Sequence, residues 1–187
     1  MKTLVVGLGN PILTDDGVGV QAAWELERVL SRRAVNGRTN LTAVMDGLQA
    51  EFDGPASAIT VTEASVGGLR LMELMIGYDR VIIIDALKVN NGLGAGSIHR
   101  LTLDDLVEIS PTQHSASAHD TTLITALDSG KQLGFHLPDE VIVYAVEVEN
   151  VRDFSDEPTT AVAAAIPKVV TAVLAELRIM SYELRTS

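Results

Sequence analysis

Apolar and polar positions along the chain follow two different periods, and the period distinguishes strands from helices. Thr3–Val6, Val81–Ile84 and Val141–Val146 are short apolar runs, which are typical of buried strands. Ile59–Glu63 and Gly96–Thr102 alternate apolar with polar residues, which also predicts strands, the second of them nearer an edge of a sheet. The pattern therefore predicts about five strands.

Helical patterns lie between these strands, with apolar residues recurring at steps of three and four. The predicted helices are Gly17 to about Arg32, 69–75, Asp120–Leu133 and Thr160–Leu177. Pro167 marks a kink or a break in the last of them. The alternation favours an α/β class: a three-layer α/β/α fold with a twisted, mostly parallel open sheet of about five strands and helices on both faces.

Residues 36–57 fit neither period. This segment mixes polar residues with Gly47, Gly54 and Pro55 and carries one short apolar patch, Leu41–Met45. We interpret it as an insertion or surface excursion between the first helix and the second strand. Residues 1–187 otherwise read as a single domain, as their number suggests.

Composition narrows the class of protein further. The 187 residues include 14 basic and 25 acidic side chains, a net charge of −11, which disfavours nucleic acid as a partner. No apolar run is expected to span a membrane, so no membrane insertion is predicted. The absence of cysteine excludes disulfides and thiolate nucleophiles. We expect a soluble, cytoplasmic protein.

Candidate chemistry follows the strands, because ligands bind at the carboxyl ends of the strands in an open parallel sheet. The polar residues expected there are Asp15 and Asp16, Asp85, His114 and His119, and Glu147 and Glu149. A dinucleotide site is disfavoured, because Ile12 stands where the third glycine of that motif would be. Carboxylates and imidazoles should therefore meet at one edge.

Each of these residues also has a structural interpretation. Thr14 or Asp15 would cap the first helix, which leaves Asp16 to face the edge. Asp85 would be a turn residue, and the two histidines would be surface residues of a loop. Taken together, two carboxylates and one imidazole suit nickel, zinc or manganese. Three protein ligands would leave positions open for water or for a substrate atom.

Several motifs in one order point to a known family. They are Gly7–Asn10, Asp15–Gly19, Ser65–Gly68, Val81–Ala86, His114 to Asp120, and the strand end around Glu147. In this order the sequence resembles the maturation endopeptidases of nickel–iron hydrogenases. The resemblance runs from about residue 2 to 178, apart from 36–57.

The resemblance implies an endopeptidase that removes the C-terminal extension of a hydrogenase large-subunit precursor after nickel insertion. It implies Asp16, Asp85 and His114 as metal-recognition residues, with Asp16 and Asp85 also catalytic. His114 is matched in preference to His119, because it lies six residues before Asp120. Nickel would arrive with the substrate, although zinc or cadmium would fit the same site. The protein is expected to act as a monomer.

The reaction type stays open between an aspartic and a metal-linked peptidase. Ser115 and Ser117 lack an activating motif, so water is the expected nucleophile. One alternative is a non-catalytic, metal-sensing assembly chaperone. Another is a peptidyl-tRNA hydrolase, which the opening Gly7–Pro11 also resembles, but 14–17 lack the histidine and asparagine that such an enzyme needs.

Overall fold

A computed structural model describes residues 1–35, 59–89, 92–109 and 120–186. A sheet of five strands in the order β2-β1-β3-β5-β4 forms its centre. The strands are β1 (Thr3–Leu8), β2 (Ile59–Ala64), β3 (Arg80–Leu87), β4 (Ile98–Thr102) and β5 (Glu140–Glu147). The neighbours β2, β1, β3 and β5 pair in parallel, and β4 pairs antiparallel with β5 at the edge. The predicted α/β sheet is confirmed.

Helices cover both faces of this sheet. They are α1 (Val18–Val35), α2 (Gly68–Met75), α3 (Leu103–Ile109), α4 (Asp120–Gln132), α5 (Thr160–Ala163) and α6 (Ile166–Thr186). A single 3₁₀ turn, Thr14–Gly17, precedes α1. The sequence pattern missed α3, which is seven residues long. Residues 36–57, predicted as an insertion, lie outside the described residues.

Two apolar cores form because neighbouring residues of a strand point to opposite faces. On β3, Ile82 and Ile84 pack in the core beneath α1, α5 and α6. Val81 and Ile83 pack in the core beneath α2, α3 and α4. All four side chains are buried, which explains why β3 is continuously apolar.

The apolar segment Thr160–Leu177 is long and apolar enough to cross a membrane by composition alone, contrary to the expectation that no such run exists. In the fold it is divided between α5 and α6, and Val169, Val173 and Leu177 are buried in the core. Its hydrophobicity is therefore explained by packing against the sheet. Pro167 is the second residue of α6, where its missing N–H leaves no hydrogen bond unmade.

A cluster of charges, in which Arg80 and Glu176 are buried and Arg100 is exposed, joins α6 to the sheet. Glu176 accepts hydrogen bonds from Arg80 Nη2 at 2.6 Å, Arg100 Nε at 2.9 Å and the Tyr144 hydroxyl at 2.9 Å. The hydrogen bond from Arg100, helped by those from Tyr144 and Arg80, lowers the pKa of Glu176 to about 2. Burial, together with this carboxylate, raises the pKa of Tyr144 to about 12.

Candidate active site

The chain leaves β1 in a compact loop that returns against the sheet. The Leu13 N–H donates to the Asn10 carbonyl at 3.1 Å, and the Asp16 N–H donates to the Leu13 carbonyl at 2.9 Å. A Cβ on Gly19 would lie 2.2 Å from the Ile84 carbonyl oxygen, so α1 begins in direct backbone contact with β3. The 3₁₀ turn is thereby held at the carboxyl ends of β1 and β3.

Asp16 lies in that turn and is half-buried. Its Oδ2 accepts a hydrogen bond from the backbone N–H of Asn10 at 2.8 Å, which closes the loop. Among the described residues, its Oδ1 has no hydrogen-bond partner. One carboxylate oxygen therefore closes the loop, and the other makes no hydrogen bond to the described residues.

Asp85 lies on β3 and is only 6% exposed. The sequence pattern ended this strand at Ile84 and placed Asp85 after it. The strand instead continues to Leu87, so Asp85 lies within it. Pairing with β5 extends the strand, with Asp85 beside Ala145. The 3₁₀ turn contacts β3. Asp16 and Asp85 therefore lie at the same edge of the sheet.

The third predicted ligand, His114, lies outside the described residues, as do His119, Ser115 and Ser117. Within the described parts of the chain, no three acidic or histidine side chains are close enough together to hold a metal ion. Of the three predicted metal ligands, Asp16 and Asp85 are thus the two whose positions the structure describes.

Asp15 does not cap a helix, contrary to the sequence-based interpretation. Its side chain is fully buried, and Oδ1 accepts a hydrogen bond from the Thr159 N–H at 2.7 Å. Oδ2 accepts from the N–H groups of Asn150 at 2.9 Å and Glu149 at 3.3 Å, and from the Thr159 hydroxyl at 3.2 Å. Asp15 therefore joins the 3₁₀ turn to the segment between β5 and α5.

Thr14 adopts a left-handed backbone conformation, with φ of 46°, which is unfavourable for a β-branched residue. Its N–H donates to the Ser155 carbonyl at 2.9 Å, and its hydroxyl donates to the Asp153 carbonyl at 2.6 Å. These bonds and those of Asp15 hold the strained residue in place. In the turn that contains this residue, Asp15 is buried and the adjacent Asp16 is half-buried.

Glu147, predicted to follow the last strand, is instead the final residue of β5, and it is 3% exposed. Its carboxylate accepts from the N–H groups of Leu93 at 2.9 Å and Gly94 at 2.7 Å, and lies 2.6 Å from His99 Nε2. Burial opposes ionisation, but these three groups together lower the pKa of Glu147. Glu147 therefore anchors the loop before β4, whereas Glu149 is exposed.

Sequence reasoning missed the anchoring roles of Thr159 and His99. No short-range signal identifies them, because Thr159 is 144 positions from Asp15 and His99 is 48 from Glu147. Asn10 is only six positions from Asp16, but it acts through its backbone N–H, which any residue except proline would supply. One hint was available for the anchoring role of Asp15. Capping a helix needs only one acid, so the second acid of the Asp15–Asp16 pair indicated a further role.

The fold is that of an α/β protein with an open, mostly parallel sheet. Its candidate site contains two aspartates at the carboxyl edge of that sheet. Residues 42–176 match the family model of the hydrogenase maturation proteases, HycI. The chain belongs to the hydrogenase maturation protease family, as its motifs had indicated, and it is therefore a peptidase by family. This assignment favours the predicted protease over both the peptidyl-tRNA hydrolase and the chaperone.

Individual relatives agree with the family model. The hydrogenase expression/formation protein HupD of Rhizobium leguminosarum bv. viciae is 24% identical over 95% of this chain and 74% of its own length. The hydrogenase maturating endopeptidase HybD from E. coli superposes with a TM-score of 0.70 at 25% identity, covering 96% of this chain and 94% of HybD. The hydrogenase maturation protease HybD from Thermococcus kodakarensis shares the fold, with a TM-score of 0.60 at 21% identity, over 95% of this chain and 99% of its own.

Proposed function

We propose that this peptidase removes the C-terminal extension of a nickel–iron hydrogenase large-subunit precursor after nickel has been inserted. The observation that carries the proposal is the placement of Asp16 and Asp85 at one edge of the sheet in a member of this family. HupD and HybD are named for hydrogenase formation and maturation. A precursor subunit is the substrate that fits both the family and the acidic edge.

The two aspartates are proposed to bind nickel that is already held by the substrate. Carboxylates close together favour a cation between them, because each raises the cost of ionising the other. Asp16 has an oxygen left for this purpose, since only Oδ2 is used by Asn10. His114 is proposed as the third ligand on the strength of the sequence resemblance. Oxygen and nitrogen donors of this kind suit a borderline divalent ion, including zinc or cadmium.

Hydrolysis is proposed to proceed by attack of water on the scissile carbonyl. One of the two aspartates accepts the proton of that water as a general base, and the proton then passes to the departing amine. The chain contains no cysteine that would serve as a nucleophile. The buried anchors of the 3₁₀ turn hold Asp16 still, as positioned catalysis requires.

Nickel in the substrate is proposed to control cleavage. Two carboxylates and one imidazole bind an isolated ion weakly, but they bind it better when another protein supplies the remaining ligands. A binding difference of about 3 kcal/mol between loaded and empty precursor would give roughly hundredfold discrimination.

The test is mass spectrometry of nickel-loaded and nickel-free precursor after incubation with chelator-stripped enzyme. We expect shortening of the loaded form alone. Equal cleavage of both forms, or dependence on metal added back to the enzyme, would contradict control by nickel in the substrate. Binding without shortening would instead identify a chaperone.

Variants connect the reaction to the residues. Asp16→Asn, Asp85→Asn and His114→Ala should each reduce processing at least about a hundredfold, the range for lost catalytic groups. His119→Ala is the matched control and should retain most of the activity. The reverse ranking of the two histidine variants would show that the sequence alignment of this loop is wrong.

A further inference from the structure

Two exposed apolar residues lie on paired backbone segments, one of which belongs to the loop that carries Asp16. The Ser155 N–H donates to the Ile12 carbonyl at 3.1 Å, and Leu13 pairs with Ser155 in a parallel β-bridge. The parallel register places Ile12 beside Phe154. Ile12 is 55% exposed and Phe154 is 81% exposed. We call these two residues the Ile12–Phe154 surface.

The segment that carries Phe154 is held on both sides. The Asp153 carbonyl accepts the Thr14 hydroxyl at 2.6 Å, and the Asp156 carbonyl accepts Gln21 Nε2 at 2.9 Å. The buried Asp15 carboxylate binds the N–H groups at both ends of the same segment, at Asn150 and Thr159. Phe154 is thus presented to solvent by a fixed backbone, which lowers the entropy lost when a partner binds.

An aromatic side chain held in water leaves apolar burial unused, worth about 2 kcal/mol for a residue of this size. Aromatic anchors of this kind contribute most of the binding energy in many protein interfaces. Ile12 also lies in the loop that the Asp16 carboxylate closes through Asn10. The Ile12–Phe154 surface is therefore carried in part by the same loop as Asp16.

The charges around this surface indicate the charge of the partner that would bind it. The exposed carboxylates next to Phe154 are Glu149, Asp153, Asp156 and Glu157. None of them forms an ion pair with a basic side chain in the described parts of the chain. Arg152 is the single basic residue of 147–157. A segment with lysine or arginine beside an apolar side chain is complementary to this surface.

We propose that the Ile12–Phe154 surface docks a basic, apolar segment of the large-subunit precursor and thereby brings the scissile bond to Asp16 and Asp85. The inference rests on the proposed function, because it takes that precursor as the partner. Docking of this kind adds affinity for the folded precursor without taking part in the bond cleavage. In this proposal, the Ile12–Phe154 surface recognises the precursor subunit, and the two aspartates recognise its nickel.

The test is steady-state cleavage of nickel-loaded precursor by Phe154→Ser and Ile12→Ser. Each should raise KM at least about tenfold and leave kcat unchanged, as expected when binding common to substrate and transition state is lost. Leu133→Ser is the matched control, since Leu133 is 72% exposed but follows α4 near the starts of the strands. The control should leave KM unchanged. A fall in kcat alone, or an unchanged KM in both variants, would overturn the docking surface.

The charge component is tested with Asp156→Lys combined with Glu157→Lys. This variant should also raise KM. We expect the KM of the wild type to rise between low and high salt, and this rise should be smaller in the variant. If neither KM nor its salt dependence changes, the acidic residues do not contribute and the proposed basic partner is wrong.

Binding measured by fluorescence anisotropy of labelled precursor separates this inference from the proposed function. Precursor that binds the wild type but is never shortened would contradict the proposed function, while weaker binding to Phe154→Ser would still support docking. Precursor that is shortened and binds both proteins equally would contradict docking and leave the proposed function in place. Absence of binding to the wild type would overturn both.

Discussion

Two adjacent acids, Asp15 and Asp16, have different environments. Asp15 is fully buried and accepts four hydrogen bonds from the segment after β5, whereas Asp16 is half-buried and accepts one. A buried carboxylate is stable only when donors of this number surround it. The preceding residue, Thr14, has a strained left-handed backbone.

Asp15→Asn should therefore destabilise the protein by about 2–4 kcal/mol, because an amide group would be placed against N–H donors. Asp16→Asn should cost less than about 1 kcal/mol, since its side chain is partly solvated. The measurement is urea unfolding at pH 7. Equal losses of stability in the two variants would contradict the division between an anchoring and an active carboxylate.

At the scale of the elements, the approach of α1 to the sheet determines where the active site forms. A Cβ on Gly19 would meet the Ile84 carbonyl oxygen at 2.2 Å and the Leu8 carbonyl oxygen at 2.3 Å. Both are backbone atoms, which cannot move aside as a flexible side chain can. The missing side chain at Gly19 therefore lets α1 start between β1 and β3.

Gly19→Ala should destabilise the protein by about 3 kcal/mol, because α1 must move away from two strands at once. Gly77→Ala is the matched control: Gly77 has φ of 86° but open space around it, so only backbone strain of about 1 kcal/mol is expected. Thermal unfolding and precursor cleavage check both variants. A Gly19 variant as stable as the Gly77 variant would show that α1 tolerates a wider spacing.

At the scale of the whole molecule, Glu176 connects α6 to three strands through Arg80, Arg100 and Tyr144. Its pKa falls from the usual value of 4.5 to about 2 on folding. The unfolded chain therefore takes up a proton at higher pH than the folded protein does. The stabilisation is complete above about pH 5 and is lost as the pH falls through 4.5 towards 2, by about 3 kcal/mol in total.

Glu176→Gln should lower the free energy of unfolding at pH 7 by about 2 kcal/mol, since it removes one of the two carboxylates that pair with the buried Arg80 and leaves Glu140 as the other. The loss of stability between pH 5 and pH 2 should become smaller in this variant. Asp79, Asp105 and Glu147 also have lowered pKa values, so part of the acid dependence should remain. Glu27→Gln, an exposed change on α1, is the control and should keep the wild-type profile. An unchanged profile in Glu176→Gln would contradict this role.

The sequence by itself determined the strands, most helices, the α/β class and the family. Strand and helix periods are local properties, and burial on both faces makes a strand such as β3 apolar throughout. The family could be identified from the order of its motifs for a similar reason, because each motif is a short stretch of consecutive residues. The same local pattern also indicated that Gly96–Thr102 lies near an edge, where β4 is found.

Only the tertiary structure decided what the individual polar side chains do. Asp15 became a buried anchor because its donors come from 134–144 positions away, and Glu147 became one because the loop before β4 folds over it. Neither contact leaves a periodic trace in the sequence. The break between α5 and α6 and the extension of β3 past Asp85 likewise depend on packing and strand pairing. A local sequence pattern indicates which residues are buried. The hydrogen-bond partners of those residues are determined only when distant segments come together in the fold.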